Sequence, residues 1–327
     1  MNTPPRPMLP SSRRRALLAL ATTLPFPIGT RAQSWPSRPV RIVHGYDSGS
    51  NPDTVARAIG PALGERLGQP IVIEPKPGAG GRIATAYVAT QEADGYTLMM
   101  LTAGDGVLAA TDPKLPYDLT RDYAFVSTVI QFPFVLLVKA DAPYRGLAEL
   151  IEAARRNPGK LTFATPGVRT TQHLCGELLK AGAGIDMLHV PFKGTSFQDL
   201  IGGRVDLLIS APSIATPQIR GGAVRALAVT ARNRTEGLPA VPTVAETLPG
   251  FEVSSWLGLA AAAKTAPGTL ARLNAEVRQV LGQEAVRARL TAIGSEPAPG
   301  TADEFRARVE SDVRKWRELA KTAKLDG

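Results

Sequence analysis

Four stretches of small and polar residues hold most of the chemistry this sequence can offer: DSGSNPD at 47–53, TAGDG at 102–106, TPGVRTTQ at 165–172 and SAPS at 210–213. Their hydroxyls, glycine N–H groups and carboxylates suit hydrogen bonding to a polar ligand. A glycine in any one of them is accounted for by a tight turn or a helix cap. Position raises them above that reading, because each follows an apolar run of strand character. In an open α/β sheet the carboxyl ends of parallel strands form the crevice that receives ligands, and helix N-termini there present free N–H groups with partial positive charge. The chemistry is that of binding, with a bias toward anions.

Layouts that break bonds are missing from the chain. There is no G-x-S-x-G, H-E-x-x-H or C-x-x-C, and the only histidines are His44, His173 and His189. His44 and His189 fall inside strand-like runs, whereas His173 opens a helix after TPGVRTTQ and is the one placed to face a crevice. The single cysteine, Cys175, excludes an internal disulfide and reads as a core thiol within the apolar HLCGELL. No G-x-x-x-x-G-K-[ST] occurs, and GAGGR at 78–82 lacks the spacing of a dinucleotide fingerprint. Asp199, in the capping-box-like SFQD, and Asp206, before a strand, have structural roles. No catalytic residue, metal ligand or cofactor is assigned. An exported enzyme with His173 as base beside Asp47 or Asp105 is the alternative from another class, and it lacks a nucleophile.

Alternating elements must position these stretches. RIVHGY, VARAIGPALGERLG, IVIEPK, RIATAYVATQEA and TLMMLTAG read as βαβαβ, which predicts a parallel sheet. In the first helix Val55, Ile59, Leu63 and Leu67 recur every four residues, Pro52 suits the first turn, and Gly68 follows as a stop. A second alternation runs FVLLVKA, LAELIEAARRN, LTFATPG, HLCGELLKAG, MLHVPFK, FQDLIGG, VDLLIS, a helical turn and RALAVTA. The chain then returns with SSWLGLAAAA and two helices, TLARLNAEVRQVLG and DEFRARVESDVRKWRELAK, assigned to the first lobe. At 327 residues the chain has room for two lobes. The fold class is α/β with two lobes: 33–132 plus 230–327 form a discontinuous lobe 1 and 133–229 form lobe 2. A hinge is expected near 132–135 and 229–231.

The N-terminus carries Arg13 to Arg15, an apolar run from Ala16 to Ile28 and the small-residue signal Thr30-x-Ala32. Residues 1–32 read as an export peptide cleaved after Ala32, by either the general secretory or the twin-arginine route, giving a periplasmic protein. No later run approaches the ~18 apolar residues of a membrane span. The peptide holds five arginines and no acid, so its removal lowers 38 basic residues to 33 against 29 acidic ones, a balance of +4. The charges left are scattered, with no basic stripe for nucleic acid.

Longer motifs extend over the chain: WPSRPVRIV, VARAIGPALGERLGQPIVIEPKPGAGGRIA, ADGYTLMM, KLPYDLTRDYAFVS, HVPFKGT, VRALAVTA and LPAVPTVAETLPGFEVSSWLGLAA. In these the chain resembles the tripartite tricarboxylate transporter substrate-binding (Bug) family over about residues 35–325. The resemblance implies a type II periplasmic-binding-protein architecture, two α/β domains with a hinge and a ligand cleft between them. It also implies capture of a small organic acid, such as a dicarboxylate, tricarboxylate, amino acid or amide, or aromatic carboxylate, with no chemistry performed on it.

The same resemblance implies the site. The family's first loop, P-F-x-P-G-G-x-x-D, falls on residues 45–53, where Gly49 and Asp53 match, and Tyr46, Asp47, Ser48 and Ser50 complete that jaw. The second, A-S-x-G-x-G-T-x-x-H, falls on 164–173, where Gly167, Thr170 and His173 are retained beside Thr165, Arg169 and Thr171. Thr102, Ala103, Phe192, Lys193 and Ser210 complete the expected ligand contacts. Three positions depart from the pattern: Asp47, Arg169, and Ser210-Ala211 where Asp-Asn often stands. Carboxylates at Asp47 and Asp105 repel an acid unless Arg169 or Lys193 offsets them, which favours an amide, zwitterionic or partly cationic ligand. The implied partners are the ligand and, transiently, membrane transporter subunits, with the protein itself a monomer; presentation of ligand to a membrane sensor is the other use of the same fold.

Overall fold

The computed structural model describes residues 1–3, 35–192 and 197–323, except for the side chains of 319–323. The arginines, apolar run and cleavage position of the expected export peptide, and Lys193, lie outside the described residues.

The first part of the chain runs β1 (Val40–His44), α1 (Asn51–Leu67), β2 (Ile71–Pro75), α2 (Arg82–Ala89), β3 (Thr97–Thr102), α3 (Ala103–Thr111) and β4 (Tyr123–Pro133). The middle runs β5 (Val135–Lys139), α4 (Leu147–Arg156), β6 (Thr162–Thr165), α5 (Thr171–Ala183), β7 (Leu188–Pro191), α6 (Phe197–Ile201), β8 (Leu207–Ser210), α7 (Pro212–Arg220) and β9 (Val224–Val229). The last part runs β10 (Ser254–Ala262), α8 (Pro267–Gly282), α9 (Glu284–Ala292), β11 (Glu296–Pro297) and α10 (Ala302–Ala323).

Helix α1 shows how local sequence sets an element. Val55, Ile59, Leu63 and Leu67 are all buried, as a stripe with a four-residue step requires. Its end comes at Gly68, whose φ of 72° is left-handed and whose N–H returns to the carbonyls of Glu65 and Gly64. In β3 every residue is buried, because helices cover both faces of the sheet at that strand.

Two sheets result, in the orders β11-β4-β10-β3-β1-β2 and β7-β6-β8-β5-β9. The parallel expectation holds for β2, β1 and β3, but the first sheet is mixed, since β10 runs antiparallel to both β3 and β4. In the second sheet β7, β6 and β8 are parallel, while β5 pairs antiparallel with β8 and β9. Only strands joined by helical crossovers are constrained to run parallel, as β3 and β4 do on either side of β10, whereas β5 and β10 arrive by other connections.

The chain passes between the sheets at Phe134 and Thr230. Phe134 N donates to Thr230 Oγ1 at 2.7 Å, and Thr230 N donates back to the Phe134 carbonyl at 2.9 Å. At the C-terminus Phe305, Val309, Val313 and Trp316 of α10 are buried. Among the described residues no helix is long and apolar enough to cross a membrane.

Candidate functional site

Four strand ends from the two sheets run into helix N-termini: β1 into α1, β3 into α3, β6 into α5 and β8 into α7. TAGDG is therefore not a loop but the end of β3 and the first turn of α3. Asp105, the third residue of that helix, accepts from Thr102 N at 2.7 Å, Thr102 Oγ1 at 3.0 Å and Thr85 Oγ1 at 2.6 Å. Burial drives its carboxyl above the ordinary carboxylate range against these hydrogen bonds. Of the two acids expected to repel an anionic ligand, Asp105 is thus a buried cap.

The strand ends converge on a cavity of about 250 Å³. Tyr46, Asp47, Ser48, Ser50, Thr102 and Thr171, six of the expected contacts, line it. So do residues that the sequence reading did not assign as contacts: Asn51, Pro52, Gly104, Pro166, Gln172 and Ala211 from the same four stretches, and Ile214 just beyond the last of them. Phe132, Ser255 and Leu257, from β4 and β10, complete the lining. Phe132, Leu257, Ile214 and Pro52 make one part apolar, and the helix N-termini and hydroxyls make the rest polar.

A wider cleft of about 690 Å³ shares Tyr46, Asp47 and Pro166 with this cavity. Gly167, Arg169 and Phe192 line it, together with Arg82 and Asp112. Arg82 Nη1 lies 3.0 Å from Asp112 Oδ2, and Arg169 Nη1 approaches the same oxygen at 4.0 Å. Both guanidinium groups thus turn to Asp112. Arg169 holds a left-handed φ of 59°, a conformation that glycine adopts without strain. A groove of about 710 Å³ along α1 and the start of β2 is larger, but it lies at the other end of those elements, away from the helix N-termini.

The remaining expected contacts line neither space. Asp53 is buried and accepts from Gly49 N and Arg57 Nε, each at 2.9 Å, with His44 Nε2 at 3.2 Å. Burial acts to raise its pKa, yet the bonds from Arg57, Gly49 and His44 outweigh it and hold the carboxylate below its usual range. Asp53 and Gly49 therefore set the shape of the first jaw. Thr170 caps α5, accepting from His173 N at 3.2 Å and donating to the Gly167 carbonyl at 2.8 Å. Thr165 Oγ1 lies 2.6 Å from His189 Nε2. His173 stacks on His189 with centroids 4.1 Å apart, and its Nδ1 accepts from Arg169 N at 3.2 Å. Ala103 and Ser210 are buried beside the cavity.

One hydroxyl stands out. Ser50 precedes the first turn of α1 and is 8% exposed, yet its side chain caps nothing, and its Oγ is buried without a partner. A buried, unpaired hydroxyl costs ~1–3 kcal/mol, which a ligand atom placed against it relieves.

The sequence profile of the tripartite tricarboxylate transporter family receptor matches residues 55–325. A relative described as a UPF0065 protein in the tcbD-tcbE intergenic region of Pseudomonas sp. (strain P51) is 37% identical, the match covering 94% of this chain and 93% of that one. The structure of the periplasmic binding protein BugD superposes with a TM-score of 0.85 at 32% identity, over 89% of this chain and 99% of that one. An R. palustris protein solved with adipate gives the same TM-score of 0.85 at 35% identity, over 89% of this chain and 98% of that one.

Proposed function

This chain belongs to the tripartite tricarboxylate transporter receptor family and is a solute-binding protein rather than an enzyme; from that premise we propose that it captures a small organic acid in the 250 Å³ cavity and delivers it to the membrane subunits of a transporter of that type. The observation that carries this is the meeting of four helix N-termini from two sheets on one cavity, with Ser50, whose hydroxyl is buried and unpaired, among its lining residues. First-turn N–H groups have no carbonyl partner within their own helix, and the helix dipole adds partial positive charge. A carboxylate satisfies both without a fixed cation opposite it. Drug-sized sites span roughly 300–1,000 Å³, so the smaller cavity fits a compact acid.

Selectivity comes from the penalty on a mismatch: a molecule that leaves Ser50, Thr171 or Gln172 desolvated and unpaired loses the affinity that its apolar contacts supply. The ligand of the R. palustris relative, a dicarboxylate, supports an acid of this size as the class. In this reading the protein is exported to the periplasm by the peptide at 1–32, acts as a monomer, and closes about a hinge at 132–135 and 229–231. Lobe 1, residues 33–132 plus 230–327, carries one jaw, and lobe 2, residues 133–229, carries the other.

A thermal-shift screen of the purified protein against dicarboxylates, tricarboxylates, amino acids, amides and aromatic acids tests it, because a ligand that binds only the folded state raises the melting temperature. A concentration-dependent rise with at least one class is expected. No rise with any acid sinks the proposal.

A further inference from the structure

We propose that helices α3, α5 and α10 form a latch that holds the two halves of the protein together before any solute is bound, with Val107 and Trp316 of one half closing on Leu174 of the other. The inference rests on the two-lobed solute-binding reading above and adds what sets the balance between its open and closed arrangements.

Val107, Leu174 and Trp316 make one buried apolar cluster, with Ala110 and Leu178 at its edge. Helices α3 and α10 pack on each other, and α10 also lies on β4 of the first sheet, whereas α5 packs on β6 and β8 of the second. Both halves therefore build the cluster. None of its three buried residues lines the 250 Å³ cavity, so the contact acts apart from the solute. The same two elements also meet through charge. Asp112 caps the C-terminal end of α3, Arg169 stands just before the cap of α5, and their nearest charged atoms are 4.0 Å apart. Arg82 holds the Asp112 carboxylate at 3.0 Å from within the first half, which keeps the acid in place for Arg169. The backbones approach as well: a methyl group at Gly80 would stand 3.4 Å from the Val168 carbonyl oxygen, and one at Gly104 3.9 Å from Thr170 Cα.

A latch must also release. Trp316 Nε1 and Arg169 Nε, one from each half, are buried with no hydrogen-bond partner among the described residues. Parting the halves returns these donors to water, while it exposes the apolar cluster. The opposed effects leave a balance that the differential binding of a solute can tip.

Small-angle scattering of the solute-free protein tests this with Leu174→Ala, Trp316→Ala and the double variant, each replacement being a good helix former. The parent is expected to give a radius of gyration near the roughly 19–20 Å of a compact chain of this length. Either single variant is expected to give a larger one, with helix content by circular dichroism unchanged. Because the two side chains serve one contact, the double variant should open no further than the wider single, which a purely local packing role would not produce. Val107→Ala removes less from the same cluster and is read in the same way should a larger truncation unfold the protein. Folded variants that scatter like the parent overturn the latch, as does a parent already as wide as its variants. Every reading is made without solute, so the latch can fail while the solute-binding reading, which the thermal screen decides, stands.

Discussion

Ser213 Oγ donates a 2.5 Å hydrogen bond to Asn51 Oδ1, joining the first turn of α7 to the first turn of α1. The two residues lie 162 positions apart and are 4% and 7% exposed. One helix follows a strand of the second sheet and the other a strand of the first, so this bond ties the two halves of the fold at the edge of the cavity.

Removing the bond should weaken the bound state more than the fold. Ser213→Ala leaves a buried amide oxygen unpaired wherever these helices meet, a cost of ~1–3 kcal/mol. A loss of ligand affinity of about tenfold is expected, with the melting temperature of the unliganded protein little changed. Titration of parent and variant with the same acid measures it; an equal Kd would mean that the bound state does not use this contact.

The first jaw depends on Asp53. Its carboxylate holds Gly49 N, Arg57 and His44 together, and its side chain is 4% exposed whereas that of Arg57 is 57% exposed. Asp53→Asn should therefore destabilise by ~1–3 kcal/mol, because buried groups lose a charged acceptor. Arg57→Ala should cost ~0.2–1 kcal/mol, as exposed pairs do. Urea unfolding of the two variants gives the order, and a larger loss for Arg57→Ala would contradict this assignment.

Gly258 lies in β10 directly under Phe305. A methyl group there would stand 2.2 Å from the ring, which is itself edge-on to Phe125 and Trp256. Gly258→Ala is expected to destabilise by ~1–3 kcal/mol through overpacking. Adding Phe305→Leu should recover part of that loss, and a double-mutant cycle with no coupling energy would show that the clash relaxes elsewhere.

Acid should loosen the second jaw through its histidines. Burial, then the neighbouring His173 and Lys180, push the His189 pKa down to about 4, from an ordinary 6.5. Burial also lowers His173 and His44. Below pH 6.5 the unfolded chain takes protons that the native state refuses, so this contribution is intact above that pH and is lost as pH falls toward about 4. Asp53, held below its usual value, adds its own loss only at lower pH. Melting temperatures recorded from neutral to acid pH should fall across that window, and less steeply in His189→Gln; a parallel slope in the variant would clear His189 of the effect.

Much of the architecture was legible in the chain because its signals are local. The four-residue stripe of α1, the left-handed stop at Gly68 and the βαβαβ order of the first strands need only neighbouring residues to be read. The stretches at 47–53, 102–106, 165–172 and 210–213 were likewise visible as small residues after apolar runs. Strand β4 was not, since YAFVSTVIQFP is buried along most of its length and shows no alternation. Its pairing with β10 brings together Phe132 and Ser255, a juxtaposition that no local pattern encodes.

The sequence by itself determined most of the helices and strands, β4 excepted, and where polar groups are concentrated, for these depend on residue types a turn or a strand apart. Only the tertiary structure decided what each polar group does. Thr170, Thr165 and His173 resemble ligand contacts by type, but they spend their hydrogen bonds holding the second jaw. Asp105 is an acid in the same kind of stretch as Asp47, yet one is enclosed as a helix cap and the other faces the cavity. Ser50 looks like a helix cap and is left unpaired. The physical reason is that a side chain's partners are fixed by which backbone and which second sheet fold against it, and those can lie as far along the chain as the 162 positions between Asn51 and Ser213.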